Sequence, residues 1–357
     1  MSIEHLKTGD LAPKPSEPRS EAEIMAGWKG DWDKPVVSIC CIAFNHEKYI
    51  EDALNGFLNQ KTNFPFEILI HDDASNDLTP RIIRDYERRY PNIVKAIYQV
   101  ENQFSKGKRP NPEFNFPRAA GDFVALCEGD DFWIDTNKLN KQVRNIASFP
   151  ECDMCFHETL SVDSKDRKVI RRMVGDLGAG KSIFQAEDVL QKGISFISTS
   201  SLLVRTEFLM REEIIGFLRD YGSAFFIKFL SSTSGGAVYV SDMPMSVYRV
   251  LSDASYTLKA RSDSEYALCS ILDINNNFDK ANQLTDYKYS SLFKKLKNKG
   301  VSNLILSGRL SSRQNDRLFE GSIVYLNFFN RTLFNLRCFV RFFPSKLRRA
   351  LFVLMYR

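Results

Sequence analysis

The chain has 357 residues, 43% of them hydrophobic, with 49 basic against 44 acidic side chains for a formal charge of +5. That length and apolar content support a sizeable core, most simply one large α/β domain with a smaller unit appended, and they exclude a disordered chain. The charge excess is too mild to argue for nucleic acid, and seven scattered cysteines, an odd number set mostly in apolar runs, imply buried thiols in a reducing compartment rather than a disulfide framework.

Residues 1–34 carry Pro13, Pro15 and Pro18 among many charges without sustained periodicity, which predicts an N-terminal arm or a strap lying over the domain. No basic stretch followed by an apolar one opens the chain and no apolar run approaches spanning length, so the protein is expected to stay in the cytoplasm. From Val36 the run Val-Val-Ser-Ile-Cys-Cys-Ile-Ala predicts a strand buried on both faces, as in parallel sheets. A helix follows, with Tyr49, Ile50, Ala53, Leu54, Phe57 and Leu58 at helical spacing and Asn45 as its cap. The next strand, Phe66–Ile70, runs into His71-Asp72-Asp73-Ala-Ser-Asn-Asp77, after which Thr79 caps a helix through Tyr90 with Pro80 in its first turn.

A third strand over Val94–Val100 leads into the basic loop Ser105–Pro112, and a fourth, Phe123–Leu126, follows Gly121. Successive βα units of this length demand a mostly parallel sheet with ligands at the carboxyl ends of its strands. Beyond Trp133 the pattern predicts a helix through Leu139, Val143 and Ile146, a strand near Met154–His157, a loop over 159–181, and a helical region from about 256 to 357. Cys152, Cys155 and His157 form half of a zinc pattern, but a second ligand pair is missing and their alternation suits a strand.

Two acidic turns fall at strand ends. Glu128, Asp130 and Asp131 put three carboxylates within four residues; like charges so close repel and resist desolvation, whereas hard oxygen ligands suit Mg²⁺ or Mn²⁺, which in turn holds a diphosphate. The competing reading is a solvated acidic turn capping the next helix.

Four segments in order, Val37-Ser-Ile-Cys-Cys-Ile-Ala-Phe-Asn45, Asp72-Asp73-Ala-Ser-Asn-Asp77, Gly121-Asp-Phe-Val-Ala-Leu-Cys-Glu-Gly-Asp-Asp131 and Met245-Ser-Val-Tyr-Arg249, together resemble the family 2 inverting glycosyltransferases of GT-A fold, over roughly 36–250. The resemblance implies a Rossmann-like GT-A domain over 35–255 and transfer from a nucleoside-diphosphate sugar, most simply UDP-linked, to a hydroxyl of a glycan or lipid-linked acceptor. It assigns Ala43, Phe44 and Asn45 to the nucleobase pocket and Asp73 to the base or ribose. Glu128 and Asp130 would meet the nucleotide sugar, and Asp130 and Asp131 the metal. The family motif usually opens with Asp where this chain has Glu128.

Lys106, Lys108 and Arg109 are candidates to close over the diphosphate, with a solvated basic loop as the alternative. Tyr248-Arg249 would orient the diphosphate or lock a strand, and Phe132 and Trp133 would wall the pocket or join the core. The family's general base, an Asp opening the helix ahead of the Met-Ser-Val-Tyr-Arg segment, is replaced near Ser223-Ala224. Asp220, three residues upstream of Ser223, is the nearest carboxylate and the candidate base, provided that the turn through Gly222 bulges. The departure keeps open a non-catalytic nucleotide-sugar binder of the same fold. A metal phosphohydrolase built on His71-Asp72-Asp73 lacks a further ligand set.

Residues 321–357 contain no Asp or Glu, while seven Arg or Lys interleave with seven Phe, from Phe328 and Arg331 to Phe352 and Arg357. That composition suits a segment lying on an anionic membrane face, placing the protein at the inner face of the membrane; an apolar cover over the domain is the alternative.

Overall fold

A computed structural model describes residues 6–174, 182–193, 196–250, 260, 262–311, 313–314 and 317–318. The Gly175–Gly180 connection and the basic aromatic tail, with its membrane reading, lie outside the described residues. The chain divides into two compact units, Met1–Leu258 and Lys259–Arg357.

The first unit is built on a ten-stranded sheet. Its first half consists of β1 (Val37–Ala43), β2 (Phe66–Asp72), β3 (Val94–Tyr98) and β4 (Phe123–Leu126), paired in parallel in the order β3-β2-β1-β4. Every residue of β2 and all but one of β1 is buried, which is why their sequences read as continuous apolar runs rather than alternations. The helices α2 (Ile50–Leu58) and α3 (Thr79–Arg89) return the chain between these strands. Ala53, Leu54, Phe57 and Leu58 of α2 and Ile83 and Tyr86 of α3 pack onto the inner face of β1 and β2.

The second half is mixed. A two-residue strand β5 (Phe132–Trp133) leads into α4 (Lys138–Ala147), then β6 (Met154–Asp163), β7 (Val169–Arg172), β8 (Ile183–Phe184), α5 (Ala186–Lys192) and β9 (Leu203–Arg205). After α6 (Thr206–Leu209), α7 (Glu212–Tyr221) and α8 (Ala224–Ser231), the long β10 (Ala237–Val250) runs parallel to β6 and antiparallel to β5. β6 extends well past the expected strand, to Asp163, and hairpins with β7 where a loop was predicted. The polar residues that suggested a loop are satisfied inside the sheet, Thr159 Oγ1 lying 2.9 Å from Ser246 Oγ. In the second unit α9 (Ser264–Leu284) packs against α10 (Ser290–Leu306) through Leu268, Val301 and Leu304. Among the described residues no helix is long and apolar enough to cross a membrane.

Residues 6–34, with the short helix α1 (Glu21–Met25), form a strap across this domain. Leu6 and Ala12 sink into an apolar cluster with Phe132, Leu160, Val162, Val169 and Val247. Further along, Ser16 O accepts Asn59 Nδ2 at 2.7 Å, Arg19 O accepts the Tyr90 hydroxyl at 3.0 Å, and Glu21 holds both the backbone and the side chain of Asn92.

Two expected caps differ. α2 begins at Ile50 with Tyr49 at its N-cap, because Asn45 is committed elsewhere: it sits at φ 55° and its side-chain oxygen accepts the Asn76 N–H at 2.9 Å. Thr79 is the first residue of α3, and the carboxylate that accepts its N–H, at 2.9 Å, is Asp77.

Candidate active site

The sheet runs outward from β1 to β3 and then returns to β4 on the other side of β1, so the crevice between the carboxyl ends of β1 and β4 is the point where strand order reverses. Both acidic turns are stitched to that point. The Asp73 N–H donates to Ala43 O at 2.9 Å, and the Gly129 N–H donates to Ile42 O at 2.9 Å. Gly129 is required there: a β-carbon would lie 2.8 Å from Ile50 Cδ1, 2.9 Å from His46 Nδ1 and 3.3 Å from Ile42 O.

On the β1–β2 side, residues 45–47 and 75–79 are zipped together by backbone-to-side-chain bonds. Asn45 N–H donates to Ser75 Oγ at 2.9 Å, His46 N–H to Thr79 Oγ1 at 2.7 Å, and Glu47 N–H to Asp77 Oδ2 at 3.0 Å. Asn45 and Ala74 both adopt left-handed backbone, φ 55° and 62°, at the two strand ends, strain of the kind that a surrounding network must hold in place. Ala43 is buried, while Phe44 and Asn45 are half-buried at the crevice mouth.

Asp73, expected to read the base or ribose, spends its carboxylate on the chain itself. Oδ1 accepts the Gln103 N–H at 2.7 Å and Oδ2 the Phe104 N–H at 3.1 Å, and His71 Nε2 lies 3.3 Å from Oδ1. Burial pushes the Asp73 carboxyl up, but His71 and the two N–H donors outweigh it and hold it below the ordinary aspartate range. Asp72 moves the other way, raised chiefly by burial against a 2.6 Å bond from Ser75 Oγ. The basic loop that Asp73 anchors carries Lys106, paired with Glu101, Lys108, 3.2 Å from Glu113, and Arg109, over the Phe104 ring.

In the second turn Glu128 and Asp130 are half-buried and Asp131 is 1% exposed. Burial, then the charge of Asp130, lifts the Glu128 carboxyl to about 7 against the pull of the Lys228 ammonium. Asp131 is pushed well above its usual range by burial, Asp130 and Glu128 in that order. Its Oδ1 accepts the Arg249 N–H at 2.9 Å, while Oδ2 is buried with no hydrogen-bond partner. The Arg249 guanidinium donates to Asp130 O at 2.6 Å, pairs with Asp52 of α2, and lies over the rings of Phe132 at 4.4 Å and Tyr49 at 5.1 Å. Arg249 therefore locks the turn rather than presenting a free guanidinium.

No group of three or more His, Cys, Asp or Glu among the described residues forms a ready cation cage. The turn nonetheless suits a hard divalent cation: the buried Asp131 Oδ2, which has no hydrogen-bond partner, and the neighbouring half-buried Asp130 are oxygen ligands of the kind such an ion takes. Mg²⁺-type sites are completed by substrate phosphates rather than by protein ligands alone. Phe132 and Trp133 are core, not pocket walls: both are fully buried, Trp133 Nε1 donating to Ser200 O at 2.9 Å. Cys152, Cys155 and His157 lie in and beside β6 with separate partners, Gly235 O, Gln142 and Glu158 O, and gather no metal site.

Asp220 is exposed on the last turn of α7. The turn after it does not bulge; Gly222 caps the helix by donating to Leu218 O at 3.0 Å, and α8 opens at Ala224 with Ser223 as N-cap. One turn into α8, buried Lys228 donates to Ile197 O at 2.6 Å and is the cation that acts on Glu128. Sequence reading passed over Lys228 and Asp52; Arg249 was read as able to lock a strand, but its carboxylate partner was not identified. Lys228 sits in a Phe-rich helix where nothing marks a charge partner, and Asp52 looked like an ordinary acidic residue in a first helical turn.

With this geometry in hand, comparison with known proteins is informative. Residues 38–211 match the profile of Glycosyl transferase family 2. An uncharacterized protein of Mycobacterium tuberculosis (strain H37Rv) is 46% identical over 121 residues, 34% of each chain. TuaG of Bacillus subtilis (strain 168), named as a teichuronic acid biosynthesis glycosyltransferase, is 33% identical over 119 residues, 33% of this chain and 43% of its own. The match thus spans about a third of the length of the first of these relatives. Among solved structures, S. aureus TarS 1–349 in complex with UDP-GlcNAc superposes with a TM-score of 0.57 at 16% identity, over 81% of this chain and 80% of that one, and shares the fold.

Proposed function

Residues 38–211 match glycosyl transferase family 2, and from that premise we propose that the chain is a metal-dependent, inverting transferase of that family that moves a sugar from a nucleoside diphosphate, uridine-linked, to an acceptor hydroxyl. The observation that carries the reading is the convergence of the two acidic turns on the end of β1, through Asp73 N–H to Ala43 O and Gly129 N–H to Ile42 O. It supports the reading because segments 43–46 and 72–77, the proposed nucleobase side, meet carboxylates 128–131 at the strand-order reversal, where α/β sheets bind nucleotides.

In the reaction the acceptor oxygen bonds to the anomeric carbon as the bond from that carbon to the diphosphate breaks. The acceptor proton passes to a base, and the nucleoside diphosphate leaves. Asp130 and Asp131 would hold a Mg²⁺ or Mn²⁺ ion, which when bound neutralises charge growing on the departing diphosphate. The chain's own part is to hold that site still. Arg249 and the Ile42 carbonyl fix the turn, and Asp73 ties the loop bearing Lys106 to the end of β2; released from Glu101, that ammonium would add to diphosphate stabilisation. Asp220 is kept as the proposed base although the turn after it does not bulge, because it is an exposed carboxylate at the end of α7, four residues ahead of the start of α8. The name of TuaG, and the basic tail at 321–357, favour an acceptor that is a surface glycan or a lipid-linked intermediate, reached from the cytoplasmic face of a membrane.

The second reading, a nucleotide-sugar binder without turnover, is favoured by one feature: Ser223 and Ala224 stand where a base was expected, with Asp220 exposed on α7. A binding screen of nucleotide sugars with and without Mn²⁺ tests the assignment. The wild-type protein should bind one uridine-linked donor about tenfold or more tightly with metal, and Asp130→Asn should lose that gain. A protein indifferent to every nucleotide sugar ends the proposal; binding without transfer across an acceptor panel selects the second reading.

A further inference from the structure

Asp52 lies in the first turn of α2, on a helix whose other buried side chains are almost all apolar, and is only 5% exposed. Two cations converge on it from segments far apart in the chain. Lys14 of the N-terminal strap lies 3.1 Å from Oδ1, and the buried guanidinium of Arg249, from the end of β10, pairs with Oδ2. The same guanidinium donates through its other terminal nitrogen to the Asp130 carbonyl at 2.6 Å, and the Arg249 N–H holds Asp131 Oδ1 at 2.9 Å. A guanidinium is a planar fork, so its two terminal bonds are not independent: a turn that frees one breaks the other. The rings of Phe132 and Tyr49, 4.4 and 5.1 Å from its centre, leave little room for an alternative orientation. An independent observation joins the strap to the same place. Its Leu6 and Ala12 pack in one apolar cluster with Phe132 and Val247, the residues that flank the acidic turn and Arg249.

We propose that Asp52 is a positioning residue for the cation- and diphosphate-binding turn: braced by Lys14 of the strap, it orients Arg249, which fixes the backbone of Asp130 and the side chain of Asp131. This rests on the reading of that turn given above. Asp52 itself contacts no donor. A buried ion pair contributes little net stability compared with well-packed apolar residues. What it supplies here is orientation, set across a sequence separation that no local structure provides.

Asp52→Asn keeps the volume and one acceptor oxygen but removes the charge that aligns the fork. The test compares two affinities by calorimetry, UDP with Mn²⁺ for the braced half of the site and uridine without metal for the nucleobase half. In Asp52→Asn the metal-supported affinity for UDP should fall about tenfold while uridine binding stays within about twofold of wild type. A general loss of structure would lower both together. Lys14→Ala, at the half-exposed end of the chain of contacts, should fold normally and lose about two- to threefold in metal-supported affinity only. If Asp52→Asn does not fold, Arg249→Lys, which keeps the charge without the fork, serves for the same pair of measurements. A folded variant with wild-type metal-supported UDP affinity overturns the inference alone. A wild-type protein whose UDP affinity ignores Mn²⁺ overturns instead the reading of the turn on which it rests.

Discussion

Gly129 shows how tightly a single residue is constrained at this site. Its N–H is bonded to Ile42 O, and its missing side chain is the space in which His46 and Ile50 approach the turn. In Gly129→Ala the tips of Ile50 and His46 can swing aside, but the Ile42 carbonyl at 3.3 Å belongs to β1 and cannot move without dragging the strand. The added methyl is therefore an overpacking change, costing about 1–3 kcal/mol, and it lifts the turn from β1. A lower melting temperature together with weakened UDP binding in Mn²⁺ is expected; a variant that melts and binds as wild type would show that the turn has slack that these contacts do not suggest. Residues of this kind were half legible. The sequence Cys-Glu-Gly-Asp-Asp raised the expectation of a ligand-binding turn, because carboxylates so close favour a cation. It could not announce which oxygens point outward. Asp130 is half-buried with its carbonyl clamped, whereas Asp131 is buried with one oxygen bonded and one left over.

At the scale of elements, the strands β1, β2 and β4 and the helices α2 and α3 were readable, since each is local and its apolar spacing is set by its own geometry. The joints between them were less so. Asp73 looked like a ligand-reading side chain, but its carboxylate is occupied by the N–H groups of Gln103 and Phe104, a tie between the end of β2 and the loop after β3 that only the folded sheet creates. Asp73→Asn replaces an oxygen acceptor with a donor facing one of those N–H groups. At pH 7 this should destabilise the fold by about 1–3 kcal/mol and free the 101–106 loop. The sign of the pH dependence follows from its depressed folded pKa. The ionised wild-type residue contributes stability that is fully present above the ordinary aspartate value and lost as pH falls through the folded one, so the stability gap between wild type and Asp73→Asn should close in acid. Equilibrium urea unfolding at several pH values measures it, and a gap that stays constant down to pH 3 would mean that the carboxylate's charge is not what holds the loop.

Across the whole first unit, the two halves of the sheet differ in how they are assembled. The first half is made of consecutive βα units, so its candidate site appears in the sequence as turns at strand ends. The other half is made by long-range pairing: β9 inserts between β4 and β6, and β10 returns to pair with β6 and β5. No periodicity reports such pairings, which is why the far half of β6 and all of β7 were read as loop and why the base could be sought only by counting back from Gly235-Gly236. Asp220 is the carboxylate that the fold leaves nearest in sequence to the start of α8, whose Lys228 reaches the charge of Glu128 one turn later. Its carboxylate is exposed at the end of α7. If it takes the acceptor proton, Asp220→Asn removes a group that acts on the acceptor alone. Turnover should then drop about 10²- to 10⁴-fold while donor affinity in Mn²⁺ changes by less than about twofold. Single-turnover transfer and calorimetric donor binding on the same preparation separate the two quantities. Undiminished transfer would move the proton to another acceptor-side group, whereas a parallel loss of donor binding would mean that α7 supports the nucleotide site instead.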